Sequence, residues 1–148
     1  MKFIVSRNEL YKNLSAISGV LSTNNTMPIL DNFLFTVSGK TLTLTASDLD
    51  CTMSAEIQLD TVEGEGSIAV PSKYLLETLK LMSEMPINFA TEEDGDSISL
   101  KFSVTDGEYN GHCFKGDEYP TTPVMSENAT GFDIDANILY RAISKTLF

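Results

Sequence analysis

The stretch KFIVSRNELYKNLSAISGVL, residues 2–21, changes its hydrophobic period part-way along and decides the class of the fold. Residues 2–6, KFIVS, are typical of a short strand with one buried face. From residue 7 the period becomes that of an amphipathic helix. The apolar positions of its stripe are Leu10, Leu14, Ile17 and Leu21. Ser6 as N-cap, with Glu9 three residues later, predicts that a capping box starts this helix directly after the strand.

Outward from this unit, the chain carries β-rich runs separated by turns. The predicted strands cover residues 32–38, 41–47, 51–59 and 67–70. Gly39-Lys40 separates the first two runs, whose apolar residues alternate, so these runs form a hairpin. In the third run, Met53, Ala55, Ile57 and Leu59 fall on one face, which predicts that this face is buried.

A second helix is predicted over residues 72–82, after Pro71, because proline suits the first position of a helix. Its apolar stripe is Leu75, Leu76, Leu79 and Met82. Further strands are predicted over residues 87–91, 97–103 and 109–114, with tight turns at Glu93-Asp94-Gly95 and Thr105-Asp106-Gly107. Two unevenly placed helices are too few to cross over a parallel sheet. The fold class is therefore α+β, with two helices packed on antiparallel sheets.

The end of the chain repeats the order of its beginning. Residues 121–130 are rich in turn-forming residues and are predicted to be a linker. A strand over 131–134 and an amphipathic helix over 136–148 follow, and no helix-ending signal appears before the last residue. We therefore divide the chain into a domain at 1–120, a linker at 121–130 and the start of a second, similar domain at 131–148.

The charge of the chain is strongly acidic but unevenly placed. Ten Lys and Arg against 21 Asp and Glu give −11, and an evenly acidic surface repels nucleic acid. The two predicted helices each carry +1, which leaves −13 for the remaining residues. Lys73 and Lys80 fall within about 20° of each other around their helix, and Lys12 lies opposite the apolar stripe of the first helix. Both exposed helix faces are thus predicted to be mildly basic.

Several sequence features argue against other kinds of protein. Cys51 and Cys113 lack the spacing of a metal site and are expected to be free, buried thiols, and nothing calls for a cofactor. The apolar run in the opening MKFIVS is too short for a signal peptide. No segment approaches the roughly 18 apolar residues of a membrane helix. The chain is expected to be cytoplasmic.

Two alternative functions stay open on the residues alone. Asp48 and Asp50 are the kind of oxygen ligands that Mg²⁺ or Ca²⁺ prefers, which allows an acidic, metal-dependent hydrolase. Neither a second carboxylate motif nor a partner for His112 supports this alternative, so we interpret Asp48 as a turn former and His112 as an ordinary strand residue. A β-rich module that binds other proteins through its sheet edges is the other alternative.

Five blocks of the sequence, in register, carry a family likeness. They are MKFIVSRNELYKNLSAISGVLS (1–22), MPILDNFLF (27–35), LTLTASDLD (42–50), IAVPSKYLLETLK (68–80) and EYP (118–120). Over essentially the whole chain this pattern resembles the bacterial β-type sliding clamp of the replicative DNA polymerase. The resemblance implies a non-catalytic processivity factor with three similar domains per protomer. Helices would line a ring around duplex DNA, sheets would form its outside, and two protomers would close head to tail.

The resemblance also assigns roles to individual residues. Lys73 stands at a basic DNA-contacting position of the family, and Lys80 keeps a basic side chain. Asn24 stands where the family usually has a DNA-contacting arginine. Lys12 and Arg7 are the basic residues of the first helix and complete the expected DNA-binding set. Tyr109 is placed at the protomer interface, while the implied partners are duplex DNA, the replicative polymerase and the clamp loader.

Overall fold

The computed structural model describes residues 1–22, 27–94, 97–105, 107–121 and 128–147. These residues form nine strands and three α-helices. The strands are β1 (Lys2–Ser6), β2 (Asn32–Ser38), β3 (Thr41–Ser47), β4 (Thr52–Gln58), β5 (Val62–Glu63), β6 (Gly66–Pro71), β7 (Pro86–Asp94), β8 (Ser97–Val104) and β9 (Gly107–Lys115). The helices are α1 (Arg7–Ile17), α2 (Ser72–Leu81) and α3 (Ala136–Ser144).

The strands form one antiparallel sheet in the order β4-β3-β2-β6-β9-β8-β7-β1-β5. A first half, β4-β3-β2-β6, meets a second half, β9-β8-β7-β1-β5, along a short seam. The seam pairs only Ile68 with Lys115 and Ala69 with Phe114. At Gly116, next in the chain, a side chain would begin 2.6 Å from the backbone carbon of Ser67, so a larger residue does not fit there. The two halves are therefore joined tightly but over few residues.

The two helices α1 and α2 cover the core of this sheet, which confirms the predicted α+β class. α1 follows β1 of the second half, and α2 follows β6 of the first half. From α1 the residues Leu10, Leu14 and Ile17 are buried, and from α2 the residues Leu75 and Leu79 are buried. Each such side chain contributes roughly 1.5–3 kcal/mol through its burial, which fixes the outward direction of the opposite helix faces.

Several sequence predictions are confirmed at the level of individual elements. The hairpin of β2 and β3 has the predicted bounds, and Gly39 in its turn has φ +55°. The side chain of Ser6 caps α1 by accepting a hydrogen bond from the backbone N–H of Glu9. The predicted turns near 93–95 and 105–107 include residues outside the described ranges. Phe148, the end of the predicted last helix, also lies outside them.

Other predictions need correction. The first helix ends at Ile17 and continues as a 3-10 turn over Ser18–Val20, where Gly19 and β-branched Val20 disfavour an α-helix. Met53 is 42% exposed because β4 is the outermost strand of the first half. Cys51 is exposed, since it lies in the turn between β3 and β4 and not in a strand.

The end of the chain also differs from its prediction. Residues 131–134 form no strand, because no other strand lies alongside to accept their hydrogen bonds within the described ranges. The helix predicted over 136–148 is present as α3 but ends at Ser144, and its apolar residues are exposed. The division at residues 120 and 130 stays a prediction.

Candidate nucleic-acid interface and open sheet edge

The exposed faces of α1 and α2 carry the lysines that the helical spacing selected. Lys12 is exposed on α1, while Lys73 and Lys80 are exposed on α2. The side chain of Leu81, at the end of α2, is 88% exposed. Because Leu75 and Leu79 hold the opposite face of α2 in the core, Lys73 and Lys80 extend from the same outer side of that helix.

α1 and α2 are connected directly through Arg7. Its Nε donates a hydrogen bond of 2.7 Å to the carbonyl oxygen of Leu79, and its backbone N–H donates one of 3.0 Å to the carbonyl oxygen of Met85. On its own helix, the guanidinium donates through Nη1 to Oδ1 of Asn8 at 3.0 Å and lies over the ring of Tyr11, 4.7 Å from its centroid. The basic face is therefore a surface of two helices held together.

The faces of α1 and α2 each also carry one exposed carboxylate, Glu9 and Glu77, so each helix keeps a net charge of +1. Ion pairs lie on the sheet, between Lys2 and Glu63 at 3.6 Å and between Lys101 and Glu108 at 3.2 Å. A hydrogen bond from Asn110 and the charge and hydrogen bond of Lys101 lower the pKa of Glu108. No carboxylate in the described part of the chain forms an ion pair with Lys12, Lys73 or Lys80. Exposed acidic residues away from the helices include Asp60, Glu63, Glu65, Glu84, Glu92, Asp117 and Glu118.

Asn24, the remaining member of the predicted DNA-binding set, lies outside the described residues. The described chain before it ends at Ser22 and resumes at Met27. Arg7, by contrast, lies at the start of α1 and is partly buried, with Nη2 directed to no hydrogen-bond acceptor among the described residues. The structure thus brings Arg7, Lys12, Lys73 and Lys80 onto two neighbouring helices.

Strand β9 has one open edge. Over residues 107–113 it is paired with β8 on one side. On its other side, its described pairing begins only at Phe114 and Lys115, which meet β6. Unpaired N–H and C=O groups along a strand are a template for pairing with a further strand. The stretch 107–113 is therefore available for a partner.

Tyr109 lies on this open stretch, at the end of a ladder of stacked aromatic rings. Phe3, Phe89, Phe102 and Tyr109 are cross-strand neighbours on β1, β7, β8 and β9. The ring centroids are separated successively by 5.0, 5.5 and 5.1 Å. Tyr109 is half-buried, because it carries the last ring of the ladder and no described strand pairs with β9 beyond it at this position.

Tyr74 was not predicted as a site residue, but it lies beside Lys73 in α2 and reaches the same edge. Its ring lies edge-on to the ring of Phe102, with 6.5 Å between the two ring centroids. A Cβ at Gly111 would lie 3.5 Å from Cε1 of Tyr74. Tyr74 thus covers the part of β9 that Gly111 leaves bare. The sequence did contain a signal for Tyr74, because an aromatic residue beside Lys73 interrupts the polar face of the predicted second helix.

The features behind the hydrolase alternative have structural roles. Oδ1 of Asp48 accepts hydrogen bonds from the backbone N–H groups of Asp50 and Cys51, at 3.1 and 2.7 Å, which confirms Asp48 as a turn former. His112 is an exposed residue of β9 opposite Ser99, as expected of an ordinary strand residue. The described ranges contain no group of three His, Cys, Asp or Glu residues arranged to hold a metal ion. They also contain no helix that is long and apolar enough to span a membrane.

Two halves of one antiparallel sheet, two adjacent helices with outward lysines and an open strand edge define a DNA-clamp domain. Residues 1–123 match the family model described as DNA polymerase III beta subunit, N-terminal domain, and the chain belongs to this family.

Individual relatives agree with this assignment. The beta sliding clamp of Haemophilus influenzae is 30% identical over 150 residues, which covers 100% of this chain and 39% of the relative. The crystal structure of the DNA polymerase III subunit beta from Pseudomonas aeruginosa is similar with a TM-score of 0.82 at 26% identity, covering 97% of this chain and 38% of that one. The crystal structure of the C. crescentus beta sliding clamp is similar with a TM-score of 0.82 at 28% identity, covering 98% of this chain and 38% of that one. The chain therefore spans about two fifths of the length of its relatives.

Proposed function

We propose that this chain is the first domain, with the opening of the second, of a ring-forming clamp that encircles duplex DNA. In this proposal α1 and α2 line the hole of the ring, while the sheet forms its outside. The observation that carries it is the basic surface on two adjoining helices of a chain with net charge −11. Such a surface attracts phosphates locally although the protein as a whole repels them.

The character of the surface supports sliding rather than tight or specific binding. Lys12, Lys73 and Lys80 are exposed, flexible point charges without a carboxylate partner in the described residues, so each offers a weak, salt-screened contact with any phosphate. Arg7 contributes through Nη2, which has no acceptor among the described residues. We assign Asn24 to the same surface, where its amide would hydrogen-bond DNA without adding charge. None of these contacts reads the base sequence.

Ring closure is proposed to occur at the open edge of β9. A strand from the other protomer would pair with residues 107–113 and cover the outer side of Tyr109. The last ring of the aromatic ladder would then become buried in the subunit interface. In this proposal the partner contributes a strand other than its own β9, so the two surfaces of the contact differ and the protomers associate head to tail. Such a heterologous contact can close into a ring.

The protein is proposed to act as a processivity factor without chemistry of its own. The replicative polymerase would be tethered to the ring and kept at a high effective concentration over its template, and a clamp loader would open the ring. The pocket for polymerase peptides is assigned to later domains of the clamp, outside the 39% of the Haemophilus influenzae relative that matches this chain. We also propose a cytoplasmic location, since bacterial DNA lies in the cytoplasm. The division into a domain at 1–120, a linker at 121–130 and the start of a second domain at 131–148 is likewise proposed.

The decisive experiment uses the full-length protein that contains this chain, loaded onto a nicked circular duplex. We expect the protein to remain on the circle during gel filtration at moderate salt. After a restriction enzyme cuts the circle, we expect the protein to slide off the ends. Equal release from circular and linear DNA would contradict topological binding and favour the β-rich interaction module.

A further inference from the structure

The contact between Arg7 and Leu79 joins the two helices of the proposed DNA-facing surface. Leu79 lies in the last turn of α2, where carbonyl groups have no partner within the helix and carry partial negative charge. Its carbonyl oxygen accepts a weak closing bond of 3.3 Å from the N–H of Met82 and the 2.7 Å bond from Arg7 Nε. The guanidinium therefore caps α2 from a different helix.

The same guanidinium is held on the α1 side as well. Oδ1 of Asn8 accepts a hydrogen bond from Nη1, and the ring of Tyr11 lies under the guanidinium carbon. A planar group fixed by two hydrogen bonds and one stacked ring has little rotational freedom. Arg7 thus acts as a rigid brace between the first turn of α1 and the last turn of α2.

Both ends of this brace adjoin lysines in the sequence. Tyr11 precedes Lys12, and Leu79 precedes Lys80. We propose that Arg7 is a positioning residue that sets the separation of α1 and α2, and with it the spacing of Lys12 and Lys80. This inference rests on the proposed function for its purpose, but the brace itself is tested without DNA.

The first test measures the brace in the unmodified chain. Arg7 and Arg141 are the arginines of the sequence, and Arg141 is exposed on α3. By NMR, we expect the Nε proton of Arg7 to exchange with water roughly tenfold more slowly than that of Arg141, as a charge-assisted hydrogen bond requires. Equal exchange rates would overturn the proposal. This measurement can overturn the proposal even if variants at Arg7 fail to fold.

The second test measures the separation of the helices. Spin labels are placed at Ser15→Cys on α1 and Glu77→Cys on α2, two exposed positions, with Cys51→Ser to remove the exposed native thiol. We expect Arg7→Met to shift and broaden the distance distribution, and Arg7→Lys to restore part of it because a donor and a charge return.

The matched control for the second test is Ser6→Ala, which removes the N-cap of α1 and destabilises the same helix without touching the brace. It should lower the melting temperature but leave the distance distribution unchanged. An unchanged distribution in folded Arg7→Met would overturn the inference, and so would an equal broadening in Ser6→Ala. Because no DNA is present, neither outcome bears on whether the protein is a clamp.

Discussion

The hydroxyl oxygen of Tyr119 accepts a hydrogen bond of 3.1 Å from the backbone N–H of Ser47, which lies 72 residues earlier. The same hydroxyl donates to the carbonyl oxygen of Asn32 at 3.3 Å, and the Tyr119 side chain is buried. One phenol thereby ties the end of the domain to β2 and β3. The described residues that follow Pro120 are all exposed, so Tyr119 is the last buried residue in the described part of the chain.

Replacing Tyr119 with phenylalanine should destabilise the domain. The ring would still fill its site, but the N–H of Ser47 would be left buried without a partner, at a cost of about 1–3 kcal/mol. Urea unfolding of the chain measures this free energy. Tyr140→Phe, on the exposed face of α3, is the matched control and should unfold like the parent chain. A Tyr119→Phe variant as stable as Tyr140→Phe would contradict the anchoring role.

The stability of the domain should fall in alkaline solution because of Cys113. Burial raises the pKa of this thiol from 9.0 to about 12. The folded state thus favours the neutral thiol. The contribution of Cys113 to the free energy of unfolding is therefore complete below pH 9 and is lost as the pH rises towards 12. At pH 10 the loss relative to pH 8 should be about 1 kcal/mol.

Denaturant unfolding at a series of pH values checks this loss. Burial also raises the pKa of Tyr119, which adds a further decline above its ordinary value of 10.0. Cys113→Ala should remove the part of the decline that begins near pH 9, while Cys51→Ser, at the exposed thiol, should leave it unchanged. An identical pH profile for both variants would show that Cys113 is not responsible.

Charge removal on α2 should weaken DNA retention in a salt-dependent manner. In the full-length protein, Lys73→Gln and Lys80→Gln should each reduce the slope of log K against log salt by about 1, because each removes one phosphate contact. Fluorescence anisotropy with duplex DNA over a range of salt measures the slope. Lys40→Gln, at the exposed tip of the β2–β3 hairpin, is the control. An equal change in Lys40→Gln would mean that the effect is one of net charge alone.

Truncation of Tyr109 should weaken ring closure. Tyr109→Ala shortens the aromatic ladder at its open end, and loss of a central interface aromatic costs about 2 kcal/mol or more of association free energy. Sedimentation of the full-length protein should show a dimer that dissociates at higher concentration than the parent.

Because Tyr109 also stacks on Phe102 of its own domain, the domain stability of Tyr109→Ala must be measured in parallel with urea. Tyr74→Ala, which alters the neighbouring part of the same edge, should act in the same direction but less strongly. Unchanged dimerisation in a folded Tyr109→Ala variant would remove this residue from the interface.

Local patterns were sufficient for much of this fold. The bounds of β2 and β3, the start of α1 at Arg7 and the outward direction of Lys12, Lys73 and Lys80 all follow from side-chain period and from capping and turn residues. These signals are contained in consecutive residues, because the period of a helix or strand is a property of the backbone itself. The sequence by itself thus determined the α+β class and which helix faces carry the exposed lysines.

The pairing of distant segments was decided only by the tertiary structure. Residues 131–134 alternate like a strand yet form none, because a strand needs a neighbour for its hydrogen bonds. Arg7 has the charge expected of a DNA contact, yet its Nε donates a hydrogen bond to the carbonyl oxygen of Leu79, 72 residues away. Tyr109 ends a ladder whose other rings come from three separate strands. Such contacts depend on which segments the whole chain brings together, and no short stretch of sequence contains that information.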